Sequence, residues 1–252
     1  VARPFLALYL KGSRYTDPID GKSFRMFLSY GYGKQRPNVL SPSTLSLERH
    51  RLLWLYLLNE TDFLRPELDS GSRMIFRKNS DSEMNSGIKV LHMAPEQCFL
   101  KRFKKLNHDY TTADLNSPIA DVKADITQLP FEDNSFDIIF CNHVLEHIPD
   151  DTKAMQELLR VLKKGGMGIF QIPQDLNRET TFEDDSITDP KERAKIFGQY
   201  DHVRVYGRDY FDKLKSIGFT VKPVDYTTEL SPELVDKYRL AKGEILPVVF
   251  KP

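Results

Sequence analysis

From Ile88 onward short apolar runs alternate with amphipathic stretches, the mark of strand–helix units that build a largely parallel sheet. Residues 90–93 predict a first strand, and Pro95 opens a helix at its favoured first position. Residues 110–113 read as a second strand closing in Asp114, 121–124 as a short third, and 136–141 as a fully buried fourth. After Asp150, the side chains of Met155, Leu158, Leu159 and Leu162 share one helical face. Gly165 and Gly166 are the expected stop of that helix, with a fifth strand over 167–172. A helix over 210–217 stopped by Gly218, a strand over 219–226, a helix opened by Ser231 and Pro232, and a last strand near 245–250 complete the pattern.

The first 65 residues read differently. The opening VARPFLALYLKG is apolar but short and is followed by no small-residue cleavage site, so it predicts a packed N-terminal helix rather than a signal peptide. In SLERHRLLWLYLL, Ser46 suits an N-cap, Leu47, Leu52, Leu55 and Leu58 keep helical spacing, and Arg49 and His50 fall on the exposed side. Residues 66–87 carry Pro66, Gly71, Ser80, Asp81, Ser82, Asn85 and Ser86, the composition of a linker. The expected organisation is a cap at 1–65, a linker at 66–87 and an α/β domain at 88–252.

Composition narrows the picture. With 36 basic and 36 acidic residues the chain has no net charge to draw it to nucleic acid or an anionic membrane, and no span is long enough to cross a bilayer. Its two cysteines, Cys98 and Cys141, each fall inside a candidate core element, which argues for reduced thiols in a cytoplasm.

In open α/β sheets ligands bind beyond the carboxyl ends of the strands. Asp114 lies about 20 positions past the first turn, where a carboxylate accepts from vicinal ribose hydroxyls. Asp125 offers an acceptor to an adenine amino group and Ile126 an apolar face to its ring, so the rim points to an adenosine.

The segment ADITQLPFEDNSFDIIFCNHVLEHIPDDTKAMQELLRVLKKGG resembles the middle of class I S-adenosylmethionine-dependent methyltransferases, of the type 11-like kind. Those enzymes carry an LPF-x-D-x-SFD stretch, an LEH helix start and an E-x-x-RVLKPGG run in this order. The strong resemblance covers about 88–172. FLSYGYGKQRPNVLSPSTLSLERHRLLWLYL and RETTFEDDSITDPKERAKIFGQYDHVRVYGRDY are similar to uncharacterised bacterial methyltransferases with an N-terminal cap. The resemblance implies a Rossmann-like, mostly parallel seven-stranded sheet flanked by helices, S-adenosylmethionine as cofactor and a small-molecule methyl acceptor.

By the same resemblance His92 stands where the family has an acidic residue, and Ala94, Glu96 and Cys98 stand where it has glycines. S-adenosylmethionine carries no phosphate, which relaxes the demand for a glycine cradle. The expected cofactor contacts are His92, Ala94, Glu96, Asp114, Leu115, Asp125, Ile126, Asn142 and His143, with Glu96 drawing the ammonium group or else favouring its own helix start. His143 is the candidate general base for an acceptor that must lose a proton. The acceptor pocket is expected from Tyr30, Arg36, Arg49 and His50 in the cap and from an insertion at about 174–206 with Arg178, Glu179, Tyr200, His202 and Arg204.

Asp17-x2-Asp20 and Ser41-x2-Thr44 have the doubled spacing of a zinc ribbon, and related methyltransferases look as though they carry Cys-Pro-x-Cys at both places. With no thiolate or imidazole at these four positions, no metal is expected and packing must hold the hairpin. A nicotinamide oxidoreductase lacks its G-x-G-x-x-G here; the alternative left open is a non-catalytic adenosyl-binding module.

Overall fold

The computed structural model describes residues 2–31, 35–64, 87–106 and 108–252, with side chains from Phe5 onward. The expected linker lies outside the described residues apart from Gly87. Contacts divide the chain into two compact units: Val1–Met84 with Glu96–Asn107 and Asp225–Ile245, and Asn85–Pro95 with His108–Val224 and Leu246–Pro252.

The first unit opens with α1 (Ala2–Tyr9), an antiparallel pair β1 (Lys11–Thr16) and β2 (Ser23–Phe24), a second pair β3 (Leu28–Tyr30) and β4 (Arg36–Leu40), and α2 (Glu48–Glu60). The helix α1 forms as expected but does not pack through its own apolar residues: Phe5, Leu8 and Tyr9 are at least 70% exposed, and the buried contact is made by Leu10 beside Tyr15, Phe24 and Phe27. In α2 the cap position falls to Leu47, and His50 is buried rather than exposed because its Nδ1 accepts the Leu47 N–H at 3.0 Å. The chain then runs through β5 (Lys89–Met93) to α3 (Gln97–Phe103). Trp54 stacks on Phe99 and Phe103, which stack on each other at 5.2 Å. That aromatic ladder is why α3 groups with the N-terminal residues instead of with the domain expected at 88–252.

The zinc-ribbon-like spacing resolves into a buried hydrogen-bonded knot. Asp17 is fully buried; its Oδ1 accepts from the Ile19 N–H at 3.0 Å, and its Oδ2 from the Thr44 hydroxyl at 2.5 Å and the Ser46 hydroxyl at 3.1 Å. Arg51, also fully buried, donates to the carbonyls of Ser46, Val39, Tyr238 and Arg239. Burial pushes its pKa down to about 10, so the guanidinium stays charged at neutral pH. The hairpins are therefore joined by a carboxylate and its donors as well as by packing. A buried charge is tolerable only when saturated in this way.

The second unit continues with β6 (Asp109–Asp114), β7 (Val122–Lys123), β8 (Phe136–Cys141), α4 (Asp151–Val161), β9 (Leu162–Ile169), β10 (Phe182–Glu183), α5 (Pro190–Ile196), β11 (Arg204–Val205), α6 (Tyr210–Ile217) and β12 (Thr220–Val224). After α7 (Pro232–Lys237) in the first unit, β13 (Leu246–Phe250) closes the chain. The seven-stranded sheet has the order β12-β13-β9-β8-β5-β6-β7, parallel except for β13, which runs antiparallel to both neighbours. Two of its inner strands, β8 from Ile138 onward and β13, carry apolar residues on both faces, as a sheet covered on both sides requires. One face, with Leu91, Met93, Ala113, Ile139 and Cys141, packs on Ala154, Met155, Leu158 and Val161 of α4 and on Tyr210 and Leu214 of α6.

Gly165 and Gly166 do not end a helix. Asp150 caps α4 by accepting the Lys153 N–H, the helix stops at Val161, and both glycines lie inside β9 at a bulge, where Gly165 has φ +74. There the diglycine bends an edge of the ladder, a use of left-handed backbone that sequence alone does not separate from a helix stop. Gly218 does stop α6, at φ +116. Among the described residues no helix is long and apolar enough to cross a membrane.

Replacing Asp17 by Ala strands three donors in the knot, and we expect urea unfolding to report a loss of about 3 kcal/mol, with Asp17→Asn losing less. A loss below about 0.5 kcal/mol would mean that packing alone joins the hairpins.

Candidate functional site

The carboxyl ends of β5, β6 and β8 form a rim within the second unit. Just past β5, Ala94 has φ +45, and its N–H donates to the Ala113 carbonyl of the neighbouring strand at 2.9 Å. Just past β8, His143 has φ +54, and its N–H donates to the Gln171 carbonyl at 2.7 Å. A side-chain-bearing residue in the left-handed region costs about 1–2 kcal/mol, and such residues cluster where function demands a particular backbone. The expectation that backbone at Ala94 replaces a glycine turn thus meets a turn with a glycine's conformation built from alanine.

Asp114 closes β6. Its Oδ1 accepts the N–H groups of Asn116 at 2.7 Å and Ser117 at 2.5 Å, which fixes the side chain, while Oδ2 makes no hydrogen bond among the described residues. The next residue, Leu115, is 48% exposed, a large apolar surface beside a partly used carboxylate. Asp125 is exposed, and hydrogen bonds from the Thr127 N–H and hydroxyl, both 2.8 Å, hold its carboxyl below the usual range. Ile126 is 4% exposed and belongs to the hydrophobic core, so its side chain is already packed.

The LPF and E-x-x-R motifs brace this part of the rim rather than reach toward it. Glu157 accepts the Leu129 N–H at 2.8 Å, and Arg160 donates to the carbonyls of Leu129 and Phe131 and to Glu157. This mutual pairing lowers the Glu157 pKa through the Arg160 hydrogen bond and raises that of Arg160.

Beyond β8 lies a concentration of buried polar atoms that sequence reading foresaw only in His143 and Asn142. His143 Nε2, both Glu146 carboxylate oxygens and both atoms of the Gln171 amide are buried without a hydrogen-bond partner, although Glu146 and Gln171 are each 1% exposed. More than nine in ten buried polar groups in folded proteins are paired, so a local cluster of unpaired ones marks a place built to meet something else. His143 Nδ1 faces Glu146 Oε1 at 3.3 Å, and Asn142 Oδ1 accepts the Gln171 N–H at 3.4 Å. Glu146 and Gln171 were missed; the LEH motif carries Glu146, but nothing in the sequence singles out Gln171 before the register of β9 is known.

The remaining expected residues have these surroundings. His92, the fourth of the five residues of β5, is fully buried, its Nδ1 2.7 Å from the Tyr110 hydroxyl and its ring against Phe140, so its side chain packs on the sheet face. Glu96 belongs to the first unit, where its Oε1 lies 3.9 Å from His50 Nε2. In that unit Tyr30 is 40% exposed, Arg49 is half-buried, and Arg36 pairs with Glu48 at 2.7 Å. In the insertion, Arg178 pairs with Asp175 and lies over the Phe182 ring, Glu179 pairs with Arg208, and Tyr200 is exposed. Burial pulls the His202 pKa below its ordinary value. Arg204 is not free to meet an acceptor: it is buried, bonded to Glu183 and to the carbonyls of Leu145, Ile148 and Pro149, and clamps the turn after β8.

Comparison with known proteins adds the following. Residues 79–170 match the family described as "Methyltransferase domain". An uncharacterised chloroplastic methyltransferase of Arabidopsis thaliana is 30% identical over 120 residues, 48% of this chain and 34% of that one. A malonyl-[acyl-carrier protein] O-methyltransferase of Nitrosospira multiformis is 29% identical over 126 residues, 48% of this chain and 38% of that one. The chain thus spans little more than a third of the length of these curated relatives. Among solved structures, the 1,6-didemethyltoxoflavin-N1-methyltransferase of Burkholderia thailandensis, with S-adenosylhomocysteine bound, aligns at a TM-score of 0.45 and 14% identity, covering 66% of this chain and 72% of that one.

If the turn at Ala94 is held against its own preference, Ala94→Gly relieves the strain, and we expect stability to hold or rise by up to about 1 kcal/mol after the added unfolded-chain entropy of glycine. Ala94→Val should lower the melting temperature. Melting curves in which glycine destabilises and valine does not would place residue 94 outside the left-handed region.

Proposed function

We propose that this chain, which carries a class I S-adenosylmethionine-dependent methyltransferase domain, moves a methyl group to a small-molecule acceptor at the rim beyond β5, β6 and β8. The observation that carries this reading is the placement of Asp114: a fixed carboxylate with one oxygen still to be paired, at the end of the strand beside the Ala94 turn. The residues fit the cofactor's chemistry. Asp114 Oδ2 is an acceptor for ribose hydroxyls, Leu115 and Asp125 stand for the adenine side, and the Ala94 turn lets backbone lie close to an amino-acid moiety.

When bound, S-adenosylmethionine supplies a methyl group already activated by its sulfonium, so the protein's task is to hold the acceptor in line and exclude water. His143 is placed for the proton. With Nδ1–H directed at Glu146, its Nε2 carries the lone pair and stands ready to take a proton from a hydroxyl or amine as the acceptor attacks. Glu146 would then be a positioning residue that fixes the tautomer. Arg178 and Tyr200, in the insertion of the second unit, remain the proposed contributors to acceptor recognition. The two buried cysteines, Cys98 and Cys141, form no disulfide, which supports a reducing, cytoplasmic setting.

Asp114→Ala removes a charged acceptor, and calorimetric titration with S-adenosylhomocysteine should show affinity falling by about 1.5–3 kcal/mol, roughly ten- to a hundredfold. An unchanged dissociation constant in the folded variant would remove Asp114 from the site.

A further inference from the structure

The turn that follows β8 and the chain just before β11 bring together three side chains that no step above requires as a set. Glu146, His147 and His202 each present a ligand-type atom, and these atoms lie within 4.8 Å of one another. The backbone fixes their approach: the Val203 N–H donates to the Glu146 carbonyl at 3.0 Å, and Arg204 holds the carbonyls of Leu145, Ile148 and Pro149. The two imidazoles meet edge to face, with ring centres 4.7 Å apart.

The hydrogen bonds settle which nitrogen of each ring carries the proton. His147 Nδ1 faces only oxygens of Asp201, the carbonyl at 3.3 Å and the carboxylate at 3.4 Å. His202 Nδ1 faces the Phe197 carbonyl at 3.2 Å. Carbonyl and carboxylate oxygens only accept, so Nδ1 is the donor in both rings, and in the neutral imidazole Nε2 then bears the lone pair. His147 Nε2 is turned toward Glu146 Oε1 at 4.0 Å, too long for a hydrogen bond, and both Glu146 oxygens are buried, Oε1 with His143 Nδ1 at 3.3 Å. Each residue thus has an acceptor to offer, and the ligand-type atoms of the three lie within 4.8 Å of one another. Acceptors that face each other repel unless a cation stands between them.

We propose that Glu146, His147 and His202 bind one first-row transition-metal dication, through a carboxylate oxygen and the two Nε2 atoms. Two imidazoles and a carboxylate favour zinc, iron, manganese or cobalt over magnesium and calcium, which take oxygen ligands. The outer contacts are those of a metal site: each ring donates its other N–H to an oxygen, and the carboxylate faces His143 Nδ1 at 3.3 Å. Bond lengths of about 2.0–2.2 Å require the donor atoms to close in by roughly 1 Å, within reach of side-chain rotation. Three protein ligands leave a coordination position open. No local spacing signals this cluster, because His202 lies 55 residues beyond His147 and only the fold brings them together. The proposal does not depend on the methyl-transfer reading, since it concerns an ion and not the adenosyl group.

The test titrates the intact chain, stripped with a chelator, with zinc by calorimetry and with cobalt(II) by visible absorption. We expect one zinc per chain and a cobalt spectrum of a low-coordinate nitrogen and oxygen site. His202→Ala and Glu146→Gln should each weaken zinc binding by more than about tenfold, while His108→Gln leaves it unchanged. Circular dichroism checks that the variants fold, and X-ray absorption of the zinc-loaded native chain should report two imidazoles in the first shell even if a variant does not. No stoichiometric zinc binding, equal affinity in folded variants, or a first shell without imidazole would each overturn the assignment.

Discussion

Two backbone hydrogen bonds, from the Ala94 N–H to the Ala113 carbonyl and from the His143 N–H to the Gln171 carbonyl, make the rim what it is. Each takes a residue just past one strand and ties it to the neighbouring chain, at the end of β6 in the first case and just beyond β9 in the second. To make these bonds both donors adopt left-handed backbone, at φ +45 and +54, and neither is glycine. The strain is sustained by the sheet beneath, where Met93 pairs with Ala113 and with Cys141 in register. Because the ladder fixes the strand ends, the turns above it have little freedom, and Asp114, His143 and Gln171 inherit fixed positions. A site of this kind is set by the sheet, not by the loops that decorate it.

Much of the sheet was legible in the sequence for a physical reason: buried parallel strands read as mainly apolar runs, and 136–141, apolar but for Asp137, coincides with β8. Asp114 was legible for the same reason, since its distance from the first turn follows from one strand, one helix and one strand. What could not be read were events that depend on distant partners. His50 looks exposed by helical period, yet it is buried, with its Nδ1 bonded to the Leu47 N–H. His92 looks like a rim residue by alignment with a motif, yet the register of β5 turns it into the packed face against Phe140. The diglycine at 165–166 satisfies the rules for a helix stop and for a bulge equally, and only the pairing of β8 with β9 decides between them.

The first unit illustrates how one arrangement is reached by different chemistry. Asp17, Thr44 and Ser46 occupy the region where the resemblance places paired cysteines, and a buried carboxylate with three donors does the joining there. The cost is a buried charge, offset by hydrogen bonds that are stronger because they are charge-assisted and shielded from water. Arg51 extends the same network into Tyr238 and Arg239, far along the chain, so residues 225–245 are bound into this unit by polar contacts as well as by the Tyr56 and Tyr226 rings. A unit assembled from three separate stretches of chain owes its cohesion to such long-range bonds.

The central claim is that the strained rim of the second unit is a seat for an adenosyl amino acid. A crystal structure determined with S-adenosylhomocysteine tests it most directly. The account predicts ribose hydroxyls within hydrogen-bonding distance of Asp114 Oδ2 and the amino-acid portion lying along the backbone at Ala94. Density for the compound at any other place, or none at saturating concentration in a well-ordered crystal, would contradict it.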